Sequence, residues 1–272
     1  MTTSTSMASA TAASPSTQLN PDNLFRDTLT LAKRSLLKLK HNPGALVDVV
    51  LLPIIFMLMF AYLFGGSVSG SVQAYLPTIV PGVVAFALLM VTSNTGTQLR
   101  EDIETGVFDR FKSLPIAPLS PLTGMLTADI IRYAIASACA VAVGYLIGWR
   151  PAAGLGWVIA ATLLVIFVMW CISWVFVFIG VVVKSSGTIS AISTLLTMVL
   201  GFVPNAIVDV DSLPGVLATI AGNNPITYLV DAYRAMVETG AFGMEAVCAV
   251  IASCVVLAVF IPATAVAYKR NL

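Results

Sequence analysis

The sequence predicts an all-α membrane protein of six transmembrane helices, with an N-terminal amphipathic interface helix, a cytoplasmic amphipathic helix between spans two and three, and an outward-facing re-entrant helical segment between spans five and six. Of its 272 residues 58% are hydrophobic and only 10% charged, and the mean hydropathy is +0.95, values foreign to soluble domains. Mostly apolar windows of about 20 residues, the length a helix needs to cross a bilayer core, recur along the chain. Between them the cations collect in alternate loops.

Residues 1–21 are uncharged and rich in Ser, Thr and Ala. They lack the basic start and apolar run of a signal peptide and read as a disordered tail. Residues 22–41 set Leu24, Phe25, Leu29, Leu36, Leu37 and Leu39 among the cations Arg26, Lys33, Arg34, Lys38 and Lys40. Too charged to cross, this stretch is expected as an amphipathic helix on the cytoplasmic surface, its basic side toward anionic headgroups. An ordinary solvated helix is the alternative. His41, beside Asn42 and Pro43, reads as a structural boundary residue rather than a ligand.

Residues 42–272 form the six-span domain, with spans expected near 46–64, 78–99, 122–148, 157–183, 187–203 and 246–268, the fifth being the shortest. Eleven cations fall on one side: the five before span one, then Arg100, Arg110, Lys112, Lys184, Lys269 and Arg270. Only Arg150 and Arg234 fall opposite, and Arg132 lies within span three. Both termini are therefore expected in the cytoplasm. The stretch from Val203 to Glu245, which carries Asp209, Asp211, Asp231 and Glu238, then faces outward. A net charge of +1 supplies no global positive field for phosphates, which excludes a nucleic-acid binder. Cys139, Cys171, Cys248 and Cys254 lie inside apolar runs without a CxxC or companion histidines, and read as small buried hydrophobes.

Charges inside spans are expensive unless paired. Asp48 sits just inside span one, and Asp129 with Arg132 is spaced i, i+3 in span three, so structural ion pairing is expected. The polar run from Thr92 to Gln98 ends span two where water enters most cheaply, making Thr92, Asn94 and Gln98 candidates for an inner vestibule. In span four Phe167, Trp170, Trp174 and Phe178 share a side and read as lipid-facing or core aromatics, with stacking on a polycyclic ligand as the alternative. Span five carries Ser186, Ser190, Ser193, Thr194, Thr197 and Gly201 on one face. Small faces let helices approach closely, so Ser190, Ser193, Thr194 and Thr197 are candidates for a pathway or a subunit interface.

Two further segments are not simple spans. Residues 101–114 repeat Ile103, Val107, Phe108, Phe111 and Leu114 at helical spacing amid charges of both signs, which predicts an amphipathic helix that meets a protein partner rather than an anionic membrane. On the outer side Asn224 is placed to cap a helix opened by Pro225 and ended by Gly240. Its apolar face of Ile226, Leu229, Val230, Tyr233, Met236 and Val237 predicts that residues 204–240 include a short hairpin dipping into the outer leaflet under protein cover. Asp231 and Arg234 are spaced for an ion pair, with an outer-gate role as the alternative.

The run Glu104-Thr-Gly106-Val-Phe-Asp-Arg110-Phe-Lys-Ser-Leu-Pro115 resembles the coupling segment of permease subunits in the type-2 ABC export family, the daunorubicin/doxorubicin-resistance type above all. So do Phe202-Val-Pro204, Leu213-Pro214, Asn224-Pro225-Ile-Thr-Tyr228 and Ala232-Tyr-Arg234, and the resemblance covers the chain from about Leu24. It implies a permease in a prokaryotic plasma membrane that pairs with a second copy or a sister permease. Two ABC ATPase subunits would bind ATP and Mg, leaving this chain without a cofactor. Residues 101–114 become the coupling helix, with Glu101, Glu104, Gly106, Phe108, Arg110, Phe111 and Lys112 at the ATPase, and Asn224, Pro225, Tyr228 and Arg234 belong to the outer re-entrant segment. The implied cargo is an amphiphilic drug, polyketide or lipid, hence drug efflux and antibiotic resistance, with a polysaccharide or other surface polymer as the alternative.

The residues themselves contain no Gly-x-x-x-x-Gly-Lys-Ser/Thr run and only one histidine. ATP hydrolysis by a phosphate-binding loop and His-based catalysis are therefore absent from the sequence, and the chain is not expected to be an enzyme. An ion-gradient-driven secondary transporter would place ionisable groups at mid-membrane or broken helices in inverted repeats. Here the span carboxylates lie near the inner edge. A scaffold for other membrane proteins is the third reading, and it predicts no substrate pathway.

Overall fold

The computed structural model describes residues 28, 30–33, 35, 37, 44, 47–108, 120–202 and 224–271. The tail at 1–21, Arg110, Phe111, Lys112 and the first part of the re-entrant segment, up to residue 223, lie outside them.

A π-helical turn, Val47–Leu51, runs into α1 (Leu52–Ser69). Gly70, left-handed, and Ser71, whose Oγ accepts from the Ala74 N–H at 3.2 Å, turn the chain straight into α2 (Val72–Glu104). Then come α3 (Ser120–Ile147), α4 (Leu155–Val182), α5 (Ser186–Phe202), α6 (Pro225–Thr239) and α7 (Met244–Asn271), with no strand among the described residues. Val47–Ser69, α2, α3, α4 and Met244–Arg270 are 5 helices long and apolar enough to cross a membrane. They match expected spans one to four and six. Where span five was expected stands α5, which at 17 residues is about 25 Å long, short of a core of about 30 Å.

The reverse holds for α2. Its 33 residues reach about 50 Å, so its last turns extend beyond a hydrocarbon layer. The helix expected over 101–114 therefore does not start afresh: residues through Glu104 are the tail of α2, and the break comes at Thr105 and Gly106.

Most of the apolar length of α2 and α4 is buried, with α1, α3 and α7 more exposed around them. The larger core joins Tyr75 and Ile79 of α2, Val165 and Met169 of α4, and Leu229 and Tyr233 of α6. A smaller one, at the end from which the α2–α3 loop leaves, joins Leu99, Phe108, Leu122, Leu126, Trp174, Val177 and Tyr268. Between the two, α2 and α4 meet backbone to backbone. A Cβ on Gly180 would stand 2.7 Å from the Gly96 carbonyl oxygen, and one on Gly96 would collide with the Phe176 carbonyl oxygen.

The aromatic stripe of α4 divides. Trp174 is buried edge-on to Trp170 at 6.5 Å, and Phe178 meets Phe260 of α7 at 5.6 Å, while Phe167 is exposed. All four cysteines are free; Cys171 is buried, but Cys254 is exposed because α7 turns most of its surface outward, a correction to the expected burial. The described positions within 22–41 are helical. Ala32 is buried there, Thr28 Oγ1 lies 3.1 Å from Thr123 Oγ1, and Gly124 admits Leu31 against the start of α3. Leu37 is 50% exposed.

The glycine crossing has a direct test. Overpacking costs about 1–3 kcal/mol, so Gly180→Leu should lower the melting temperature of the purified protein by several degrees. Gly66→Leu, where nothing lies within 4 Å of an added Cβ, should leave it unchanged in the same thermal melt.

Candidate functional site

At the loop end, α2 finishes on an ion pair between Arg100 Nε and Glu104 Oε1 at 3.1 Å. The same carboxylate oxygen accepts the Ser186 N–H at 3.3 Å, joining the end of α2 to the start of α5. Thr105 Oγ1 donates to the Glu101 carbonyl at 2.8 Å, and Gly106, at φ +72°, donates its N–H to the Ile103 carbonyl at 3.1 Å. That left-handed turn requires glycine, and an added Cβ would meet nothing there, so conformation and not close approach fixes the residue. Beyond it the chain resumes helical geometry at Val107 and Phe108. Phe108 is only 4% exposed and sits edge-on to Tyr268 at 6.2 Å. Ile103 packs against the same small core. The expected apolar row thus faces the chain's own α3, α4 and α7 as far as it is described, because the ends of those helices present an apolar surface directly beneath it. Glu101 and Glu104 are the exposed members.

One turn deeper, polar side chains of three segments meet. Asp129 Oδ1 pairs with Arg132 Nη1 at 2.9 Å on α3, both buried, at 1% and 5% exposure. From α2, Thr95 Oγ1 donates to Asp129 Oδ2 at 2.8 Å, and Gln98 Oε1 accepts from Arg132 Nη1 at 3.1 Å. The Thr92 hydroxyl lies 3.0 Å from that of Tyr133, and Asn94 Nδ2 donates to Asp48 Oδ2, on the π-helical turn, at 3.1 Å. Thr92, Asn94 and Gln98, expected to line an inner vestibule, each meet a different partner: Tyr133, Asp48 and Arg132. Their polar ends are thus taken up by neighbouring helices rather than by open space. Arg132 keeps Nε and Nη2 buried without a partner, so its charge is balanced from one edge of the guanidinium only.

The hydroxyl-bearing helix α5 has two sides. Ser193 and Thr197 are buried, and Gly201 lets Phe86 of α2 approach so closely that a Cβ would stand 2.8 Å from its ring. Ser190 and Thr194 lie on the exposed side with Leu195, Met198 and Val199, the Thr194 hydroxyl donating to the Ser190 carbonyl at 2.8 Å. One face of the sequence pattern is therefore two: i, i+4, i+8 from Ser193 points inward, and Ser190 with Thr194 points away.

At its far end α5 meets the helix that the sequence placed outside. Asn224 Oδ1 accepts the Ile226 N–H at 2.9 Å, capping α6 ahead of Pro225, while its Nδ2 donates to the Leu200 carbonyl at 3.2 Å and approaches that of Val199 at 3.5 Å. A single amide thus satisfies orphan groups at the end of one helix and the start of the next. Gly240 closes α6 in a left-handed conformation. Arg234 pairs with Asp231 at 3.4 Å and donates from Nη2 to the Thr78 carbonyl at 3.0 Å, on the stretch of α2 between Pro77 and Pro81. Tyr233, with its hydroxyl 3.2 Å from Thr162 Oγ1, buries deeply, whereas Tyr228 is only partly covered. Sequence reasoning missed Tyr133, Thr78 and the second half of the Asn224 contact. None leaves a local signal, since each acts through a helix distant in the chain.

Residues 26–237 match the ABC-2 type transporter family. Over 244 residues, 90% of this chain and 86% of the other, the sequence is 37% identical to the daunorubicin resistance ABC transporter permease protein DrrB1 of Streptomyces coeruleorubidus. It is 29% identical over 150 residues, 52% of each chain, to the doxorubicin resistance ABC transporter permease protein DrrB of Mycobacterium tuberculosis.

Losing one partner of a buried ion pair costs about 3–5 kcal/mol, whereas replacing both by apolar residues is often neutral. Asp129→Leu or Arg132→Leu alone should therefore collapse the yield and melting temperature of the purified protein, and the double variant should restore much of both. Asn224→Leu, which strands a donor and acceptors together, should cost about 1–3 kcal/mol in the same melt.

Proposed function

The chain belongs to the ABC-2 type transporter family, and on that premise we propose that it is the membrane subunit of an ATP-driven exporter of an amphiphilic drug, polyketide or lipid. The observation that carries this reading is its likeness, through most of its length, to a daunorubicin resistance permease. ATP and Mg belong to a separate ATPase, which docks at residues 101–114. The exposed Glu101 and Glu104 face that partner, and Arg110, Phe111 and Lys112 complete the contact. Phe108, packed on Tyr268, anchors the segment so that a push on the loop is delivered to α7.

The exposed side of α5, where Ser190 and Thr194 stand among Leu195, Met198 and Val199, meets a second permease, either another copy or a sister chain. Small and hydroxylic groups at such a junction favour close helix approach and line a path that an amphiphile can use. The cation distribution supports both termini in the cytoplasm of a prokaryotic cell and six crossings, the fifth completed by α5 with the segment that follows it.

Reconstitution of the permease with its ATPase in vesicles, with daunorubicin as the probe, tests the function. Wild-type complex should show drug-stimulated hydrolysis and export. Phe111→Ala should reduce both by about ten-fold or more with the permease still inserted, as truncating an aromatic anchor does at an interface. Phe108→Ala should lower the melting temperature of the isolated permease as well. Recovery of no ATPase with the wild type, together with unimpaired export by Phe111→Ala, would reject the coupling role. Reporter fusions after Gly70, Arg150 and Glu238 should score external and one after Pro115 cytoplasmic.

A further inference from the structure

At the loop end α4 and α7 part to leave a crevice of about 660 Å³, walled by Phe178 and Val182 of α4 and by Pro262, Ala263 and Val266 of α7, with Arg270 at its end. Val182 and Val266 are exposed, so the slot opens sideways, toward whatever surrounds the helices. Lys269 beside Arg270, and Lys184 two residues past Val182, add positive charge at the same end. Among the described residues none of the three has an acidic partner, for the ion pairs engage Arg100, Arg132 and Arg234 instead. Cations in the last turn of α7 also complement its carbonyl end. That accounts for the charge but not for an apolar slot leading up to it.

We propose that this crevice binds an anionic phospholipid, one acyl chain lying between α4 and α7 and the headgroup phosphate on Arg270. Each half of the site selects against other occupants. A water-soluble anion would use the cations and leave the apolar walls exposed, and a zwitterionic lipid would fill the slot but bring its own ammonium to the guanidinium. An apolar groove between membrane helices that ends in unpaired cations fits an acidic headgroup. The site has a consequence for the loop. Tyr268, in the same turn of α7, holds Phe108, so a lipid seated against that turn braces the helix on which the α2–α3 loop rests. The family reading enters only through the leaflet, which is the inner one if the loop end faces the cytoplasm.

The test uses the purified full-length chain, incubated with equal amounts of dioleoyl phosphatidylglycerol and dioleoyl phosphatidylcholine and examined by native mass spectrometry. One cation near a surface favours an anionic lipid by about five-fold, so the wild type should retain phosphatidylglycerol over phosphatidylcholine by about that factor. Arg270→Gln, on an exposed side chain, should lower the ratio toward parity, Lys184 and Lys269 keeping a smaller preference. Val266→Trp, which fills the slot, should lose both lipids while the melting temperature without lipid stays as in the wild type. Millimolar inorganic phosphate should not displace the bound phosphatidylglycerol. Equal retention of the two lipids by the wild type, an unchanged preference in Arg270→Gln, or displacement by free phosphate would each overturn the site. Because no ATPase is present in this measurement, failure to find an ATPase partner leaves its result standing.

Discussion

The close crossing of α2 and α4 at Gly96 and Gly180 is the constraint on which the rest of the molecule depends. Between membrane helices the solvent gives no hydrophobic drive to association, since lipid tails are as apolar as leucine, and helices hold together by packing and by polar contacts. Backbones that touch maximise the first. With Gly180 against the Gly96 carbonyl and Gly96 against the Phe176 backbone, no side chain keeps α2 and α4 apart there, and the neighbouring Phe176 and Leu99 are buried. All other helices are then arranged around this pair. The large core fills one end of it and the small core the other.

A helix placed centrally has few directions left in which a polar side chain can reach water. On α2 the residues next to Gly96 are Thr92, Asn94, Thr95 and Gln98, and each finds its partner on α3 or on the π-helical turn before α1. The buried Asp129–Arg132 pair is tolerable for the same reason. Two charges desolvated together recover their cost only with the help of further hydrogen bonds; Thr95 supplies one to Asp129 and Gln98 one to Arg132 Nη1 from across the interface, while Arg132 Nε and Nη2 stay unsatisfied. Glycine contact and polar cluster are thus one device: the first brings α2 to the centre, and the second joins it to α3 and to the π-helical turn before α1.

How much of this was legible in the sequence follows from whether a feature is local or pairwise. Hydropathy placed five of the spans within a few residues, and Asn224, Pro225 and Gly240 marked both ends of α6, because helix lengths and caps are written in consecutive residues. The i, i+3 spacing exposed the Asp129–Arg132 and Asp231–Arg234 pairs for the same reason. What failed was direction. Phe108 and Ile103 show an amphipathic row, yet periodicity cannot say whether the row meets a partner or the chain's own helices, and Tyr268, which answers that question, lies 160 residues further on. The hydroxyls of α5 likewise formed one stripe in sequence and two sides in space, since only the position of Phe86 beside Gly201 decides which half turns inward.

The two attachments of α5 are unequal, and the inequality has a physical direction. At its far end Asn224 is 6% exposed and satisfies the terminal carbonyls of α5 together with the first N–H groups of α6, so separating those helices would leave several polar groups unpaired away from water. At the loop end the hydrogen-bonding tie runs from Ser186, its backbone N–H included, to an exposed Glu104 carboxylate, and water replaces it at little cost. Local opening takes the route of least loss, and for α5 that route starts at Ser186. Of its two ends, α5 is therefore more weakly tied where α2 ends and α5 begins, beside the same Glu104 that Arg100 holds in place.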